Sequence, residues 1–264
     1  MPCHYNIMRI AFITVFIINS LFVFGCNEQT KEQTLEQKIV TASESKTIYK
    51  ILVVNNNLHK KSSQKTINAF VSMLKTIYPA TYNVVHWSEY SEQLAMSQKT
   101  DLLILSPQAV PWQNYPQIEL ERLKKELKKT RLPMIGICGG CQLIALFNGG
   151  ELKPIEPRGH KCRYPSSYDN CKREKGYLKI SLINDSIFKG LNGTAIVWLN
   201  HVEEITKLPE GFKIIASNET TKIQAMKSDD GLYYGFQFHP EHIDATHQDG
   251  AVIFKNAINC ILTR

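Results

Sequence analysis

Gly136-Ile-Cys-Gly-Gly-Cys-Gln142 sets one cysteine, Cys138, between two glycines in a Gly-x-Cys-x-Gly pattern. An apolar run, Pro133-Met-Ile-Gly-Ile137, precedes it, and Gln142-Leu-Ile-Ala-Leu-Phe147 follows with helical character. A strand that turns this sharply into a helix brings the backbones at Gly136 and Gly140 too close for side chains. It also carries the residue between them on a strained elbow. A sulfur at that helix N-terminus is favoured as the thiolate by the helix dipole and the free N–H groups. Such a nucleophile needs a base held in one tautomer. Tyr234-Gly-Phe-Gln-Phe-His-Pro-Glu241 supplies a candidate, because His239 and Glu241 stand two apart at the end of an aromatic strand. Both then point to one face, where the carboxylate can orient the imidazole. Cys138, His239 and Glu241 are the candidate catalytic set.

Cys138-Gly-Gly-Cys141 is also a Cys-x-x-Cys, which suggests a dithiol redox enzyme. Against that, the motif follows the fourth expected strand, and the redox reading leaves the His-Pro-Glu segment unexplained. Cys141 either pairs with Cys138 in an oxidising space or fills a small apolar gap behind the elbow. A zinc site is not expected, since eight residues separate Cys162 from Cys171 and no second Cys-x-x-Cys exists.

With Trp198-Leu-Asn-His201 added, these motifs resemble those of class I (triad-type) glutamine amidotransferases. The resemblance runs from Ile48 to the C-terminus. It implies a flavodoxin-like α/β fold, with Cys138, His239 and Glu241 as the triad and Gly139 donating one oxyanion N–H. It places Gln142 where the substrate glutamine is held, and Asn200 and His201 on the lining of the same pocket. The second oxyanion N–H would come from a glycine-rich turn after the third strand. Here that turn reads Leu105-Ser-Pro-Gln-Ala-Val-Pro-Trp112, without glycine, and leaves Gln108 as the candidate donor.

The elements that must position these residues alternate. Strands are expected at 51–54, 82–87 and 101–105, helices at 66–78 and 118–129, then the elbow strand and its helix. The second half is strand-rich, at 177–183, 195–199, 212–216 and 223–226, and a helix over 251–262 closes the chain. The alternation argues for an α/β domain with a mostly parallel central sheet flanked by helices, and ligands at the strands' carboxyl ends.

Residues 10–25 are almost wholly apolar after one basic side chain, and Val23-Phe-Gly-Cys26 resembles a bacterial lipobox. The expected organisation is a signal peptide over 1–25, Cys26 as the lipidated residue, a disordered tether over 26–47 and one domain over 48–264. The protein is thus expected outside the cytoplasm, anchored to a membrane. In that compartment Cys162 and Cys171 are a candidate disulfide pinning a basic loop. The formal net charge of +7 concentrates there: residues 153–175 carry seven Lys and Arg against three acids. No aromatic-interleaved basic pattern suggests nucleic acid.

The activity these features imply is a cofactor-free cysteine amidase, hydrolysing glutamine or a γ-glutamyl amide through a thioester. No phosphate-binding loop is recognisable, and ATP is not expected outside the cytoplasm, so stand-alone hydrolysis is the more economical reading. Two alternatives stand beside it. One is a glutaminase subunit handing ammonia to a separate synthetase, toward which Trp198-Leu-Asn-His201 leans. The other is a non-catalytic binding lipoprotein with a degenerate oxyanion turn.

Overall fold

The structure, a computed structural model, describes residues 48–156 and 161–263. The expected signal peptide, the Cys26 lipidation site and the tether lie outside the described residues. Among the described residues no helix is long and apolar enough to cross a membrane.

Ile51, Leu52, Val53 and Val54 are all buried, and they make β1 (Lys50–Asn55) a strand covered on both faces. Its odd residues join one core and its even residues the other. Ile51 and Val53 meet α1 (Gln64–Ile77) and α5 (Asp249–Leu262) through Ile67, Phe70, Leu74, Ile253 and Phe254. Leu52 and Val54 meet α3 (Gln117–Thr130) and α4 (Gly139–Phe147) through Leu120, Leu123, Leu143 and Ile144. Between these elements lie β2 (Thr81–His86), α2 (Glu92–Ser97), β3 (Leu102–Leu105) and β4 (Met134–Ile137).

The remaining strands are β5 (Glu151–Pro154), β6 (Glu174–Leu182), β7 (Thr194–His201), β8 (Glu203–Lys207), β9 (Phe212–Ser217), β10 (Ala225–Ser228) and β11 (Tyr233–Phe236). Nine of the eleven strands among the described residues form one sheet in the order β2-β1-β3-β4-β11-β10-β9-β6-β7. Strands β2, β1, β3, β4 and β11 run parallel. β10, β9, β6 and β7 extend the sheet with antiparallel pairings. The parallel part is the sheet that the alternating pattern predicts, in the flavodoxin-like order that the family resemblance implies. Three elements have no counterpart in the sequence reading: α2, which buries only Ala95, and the two strands of the separate β5–β8 ladder.

The central register sets up the site. Gly235 pairs with Gly136 and Phe236 with Ile137, while Leu105 of β3 pairs with Gly136 from the other side. Three neighbouring parallel strands therefore end together. Residues just beyond their carboxyl ends, though far apart in sequence, come out at one edge of the sheet.

Candidate active site

At the end of β4 the chain turns at Cys138, whose φ of 51° and ψ of −106° lie outside the regions ordinary L-residues occupy. Backbone of this kind costs about 1–3 kcal/mol and persists only where its surroundings over-determine it. The surroundings do so here. The Cys138 N–H donates to Phe236 O at 2.7 Å, and Gln142 N–H donates back to Cys138 O at 3.1 Å. A Cβ on Gly136 would come within 2.4 Å of Gly140 O, and one on Gly140 within 2.1 Å of Leu105 O. Both obstacles are backbone, so both glycines are required, as the motif predicts.

His239 follows β11. Its N–H donates to Trp198 O at 2.8 Å, tying it to β7. Nδ1 lies 2.8 Å from Glu241 Oε1, so the carboxylate fixes the ring and leaves Nε2 to exchange protons. Burial works to lower the imidazole pKa. The charges of Glu241 and of the adjoining Cys138 sulfur outweigh burial and push it up to about 10. His239, Glu241 and His242 hold ligand-type atoms within 4.8 Å of one another. Nδ1 is already engaged by Glu241, so this grouping is an imidazole oriented by a carboxylate with a second histidine beside it.

The turn after β3 brings Gln108 to the elbow despite lacking glycine. A Cβ on Gly139 would lie 3.0 Å from the Gln108 backbone nitrogen and would collide with Gln108 Cγ. Gly139 opens α4, where the first N–H groups have no partner within the helix. The Gln108 and Gly139 backbones, from separate turns, thus lie against each other at the elbow, and a pair of amides so placed is what an oxyanion hole is built from.

A cavity of about 370 Å³ opens over Cys138 and His239. Gly139 and Glu241 lie outside its lining, whereas Gln108, Gln142, Asn200 and His201 all line it. Their parts differ from one another. Gln142 Nε2 donates to Glu203 O at 3.2 Å and to Gln237 Oε1 at 3.3 Å, while its buried Oε1 has no protein partner. Asn200 brings its backbone oxygen to 4.0 Å from Cys138 Sγ, and its side chain accepts from Arg173 Nη1 at 3.3 Å. His201 is held as part of the wall: Nε2 lies 2.9 Å from Glu174 Oε2 and Nδ1 2.9 Å from Glu203 O.

Several functional side chains escaped the sequence reading. Gln237 is fully buried between the two motif phenylalanines, and its Nε2 donates to Cys138 Sγ at 3.7 Å. Its place inside Phe-Gln-Phe-His was a usable signal, since a polar residue within an aromatic strand must have a partner. Glu203 lies at the back of the cavity, 1% exposed, and accepts from Tyr164 Oη at 2.9 Å and from Tyr168 Oη. Burial raises its carboxyl pKa, against the lowering effect of those phenols.

The sulfurs of Cys162 and Cys171 are bonded, as the exported-loop argument expected. Cys141 faces the opposite core from Cys138, fully buried and packed where a Cβ on Gly235 would come within 2.7 Å of its sulfur. Of its two readings, gap-filling is the one this placement supports.

Residues 34–260 match the family model "Glutamine amidotransferase class-I". One of the subunits of the glutamine-hydrolysing GMP synthase of Pyrococcus furiosus is 34% identical over 161 residues, 59% of this chain and 77% of that protein. The longer GMP synthase of Brachyspira hyodysenteriae is 30% identical over 178 residues, 66% of this chain but only 30% of its own length. Among solved structures, a protein from Thermoplasma acidophilum assigned to the same type of GMP synthase subunit superposes with a TM-score of 0.63 at 26% identity. The match covers 82% of this chain and 95% of that one. A glutamine amidotransferase from Thermotoga maritima shares the fold, with a TM-score of 0.57 at 15% identity, covering 82% of this chain and 99% of its own. The chain belongs to the class-I glutamine amidotransferase family.

Proposed function

We propose that this protein hydrolyses the side-chain amide of glutamine and acts as the glutaminase partner of a separate synthetase. The observation that carries the reading is the convergence of three strand ends. They gather a strained cysteine, a carboxylate-held imidazole and two backbone amides beneath one cavity. Cys138 Sγ attacks the substrate's side-chain carbonyl, and the Gly139 and Gln108 amides hold the resulting oxyanion. His239 Nε2 protonates the leaving nitrogen, which departs as ammonia, leaving a γ-glutamyl thioester on Cys138. Water, deprotonated by His239, then releases glutamate. Arg173 and the free Gln142 Oε1, both on the cavity wall, suit the carboxylate and a polar N–H of the amino acid. Resemblance to glutamine-hydrolysing GMP synthases, one of them built from separate subunits, supports a synthetase in trans.

A specific observation favours a second reading, stand-alone γ-glutamyl hydrolysis outside the cytoplasm. The Cys162–Cys171 bond belongs to an oxidising compartment, where exported proteins keep such bridges. The apolar run and lipobox-like Val23-Phe-Gly-Cys26 point the same way.

One assay tests both. Purified protein is offered glutamine and γ-glutamyl amides with bulkier leaving amines, and glutamate release is followed with and without the ATP-dependent synthetase component of a GMP synthase. Preference for glutamine and stimulation by that component support the first reading. Unstimulated turnover with bulkier amides supports the second, and the absence of glutamate from every substrate sinks both.

A further inference from the structure

The turn that must donate the second oxyanion N–H has neither the glycines that would shape it nor a regular element to hold it. It is nevertheless anchored through the Gln108 side chain. Gln108 Oε1 accepts from the Val110 N–H at 2.5 Å, and Nε2 donates to Tyr168 Oη at 3.4 Å. A carboxamide gripped at both ends restrains the Cα it hangs from, and Pro107 fixes φ on the preceding residue. Tyr168 in turn donates its hydroxyl proton to Glu203 Oε2, deep in the cavity wall. The polarity is consistent along this line: amide N–H to phenol oxygen, phenol O–H to carboxylate.

Tyr168 is itself carried on a fastened segment. The Cys162–Cys171 bond closes the loop, and Arg163 N–H donates to Asp169 O across it at 3.1 Å. Outside anchors join the same two elements. Gln113 Nε2 donates to Tyr164 Oη at 2.7 Å, and Asn114 Nδ2 donates to Ser166 O at 3.0 Å. The loop is therefore bolted to the β3–α3 connection on one side and to Glu203 at the start of β8 on the other.

We propose that Tyr168 is a positioning residue for the oxyanion hole, holding the Gln108 backbone amide opposite Gly139 from a disulfide-closed loop. The role rests on the glutaminase reading and goes beyond it, because it assigns to a loop distant in sequence the task that glycines perform in a glycine-rich turn. Removing one oxyanion donor outright costs about 10²–10³ in rate, so letting it drift should cost less.

The test uses the full, disulfide-intact protein and four forms: wild type, Tyr168→Phe, Gln108→Ala and the double variant. Steady-state kcat and KM for glutamine are measured, together with the labelling rate of Cys138 by a diazoketone analogue of glutamine. Expected for Tyr168→Phe is a drop in kcat of about 10-fold with KM within about 2-fold, because the donor acts on the tetrahedral state and not on bound substrate. Gln108→Ala keeps the backbone amide but loses the grip, so the double variant should be no slower than the worse single. An unchanged kcat in Tyr168→Phe, a rise in KM alone, or multiplying effects would overturn the proposal. Should Tyr168→Phe fail to fold, Gln108→Ala decides on the same kcat-against-KM criterion. If wild-type Cys138 takes no label and no glutamate appears, the glutaminase reading itself has failed and the proposal falls with it. Labelled and active wild type with an indifferent Tyr168 fails the proposal alone.

Discussion

Cys138 and His239 hang from the carboxyl ends of β4 and β11, in the middle of a sheet buried on both faces. Tyr168 reaches the same cavity from a loop with no regular structure. On the first side, placement follows from strand register and packing: Ile135, Ile137, Tyr234 and Phe236 are all fully buried. On the second, placement follows from a covalent bond and a handful of polar contacts to Gln113, Asn114, Gln108 and Glu203. The sheet side can fail only if the core fails. The loop side can open by itself while the nucleophile and base stay where they are.

The largest expected effect lies on the sheet side. Cys138→Ser should reduce glutamate release by about 10⁴-fold or more while the protein stays folded, since the proposed nucleophile is lost and the packing around it is kept. Retained activity would remove Cys138 from the chemistry. Gly140→Ala should rank next. Its Cβ would meet the Leu105 carbonyl, which cannot rotate away, so the elbow must shift. Activity should fall by at least about 10²-fold with a lowered Tm, because misplacement of about 1 Å is already that expensive. An active, equally stable variant would show that the elbow is looser than described.

Glu241→Gln probes the base. With its pKa raised to about 10, His239 keeps a proton in the folded protein that the unfolded chain releases near 6.5. This contribution to stability is complete below pH 6.5 and is lost as pH climbs toward 10. Urea midpoints of wild type should therefore decline from about pH 7 to about pH 9. Without the Glu241 charge the decline should flatten, and activity should fall by about 10²-fold or more. Parallel declines in the two proteins would mean that Glu241 does not hold the proton on His239.

Cys171→Ser should have a smaller and more local effect. Opening the loop removes at most about 2–3 kcal/mol of chain-entropy restraint. Limited trypsin should then cut at Lys161, Arg163, Lys172 or Arg173 well before the strands are touched. Simultaneous cleavage throughout the chain would erase the distinction between the two sides. The smallest effect concerns Cys141. Wild type and Cys141→Ser should lose activity equally under mild oxidant, and a Cys138–Cys141 link recovered by peptide mapping would contradict the packing role.

The two sides also differ in how far they could be read from the chain. The parallel half was legible because Ile51–Val54, the glycines around Cys138 and the His239-x-Glu241 spacing are local signals with fixed geometric consequences. The helices at 66–78 and 118–129 differ from α1 and α3 by one or two residues at each end. The loop side was legible only as far as its disulfide. Glu203, Tyr164, Tyr168 and Glu174 are ordinary residues until the antiparallel extension and the β5–β8 ladder bring them together, and no spacing encodes that. β5 and β8 themselves (Glu-Leu-Lys-Pro and Glu-Glu-Ile-Thr-Lys) are short and polar, with too little alternation to stand out. Gln108 was nameable only as a position in a turn, because its amide matters and its side chain does not advertise it.

The placement of β11 has a consequence for the order of events in folding. This strand comes almost last in the sequence yet inserts between β4 and β10, in the interior of the sheet. A chain growing from its N-terminus would have Cys138 synthesised about a hundred residues before His239 exists. Until β11 arrives, the Cys138 N–H has no Phe236 carbonyl to bind, and the elbow has no reason to adopt its strained turn. Closing so long a loop makes this pairing a slow, late step. Nascent or partly folded chains therefore carry Cys138 on an unstrained turn, and the elbow with His239 beside it comes into being only once β11 is in place.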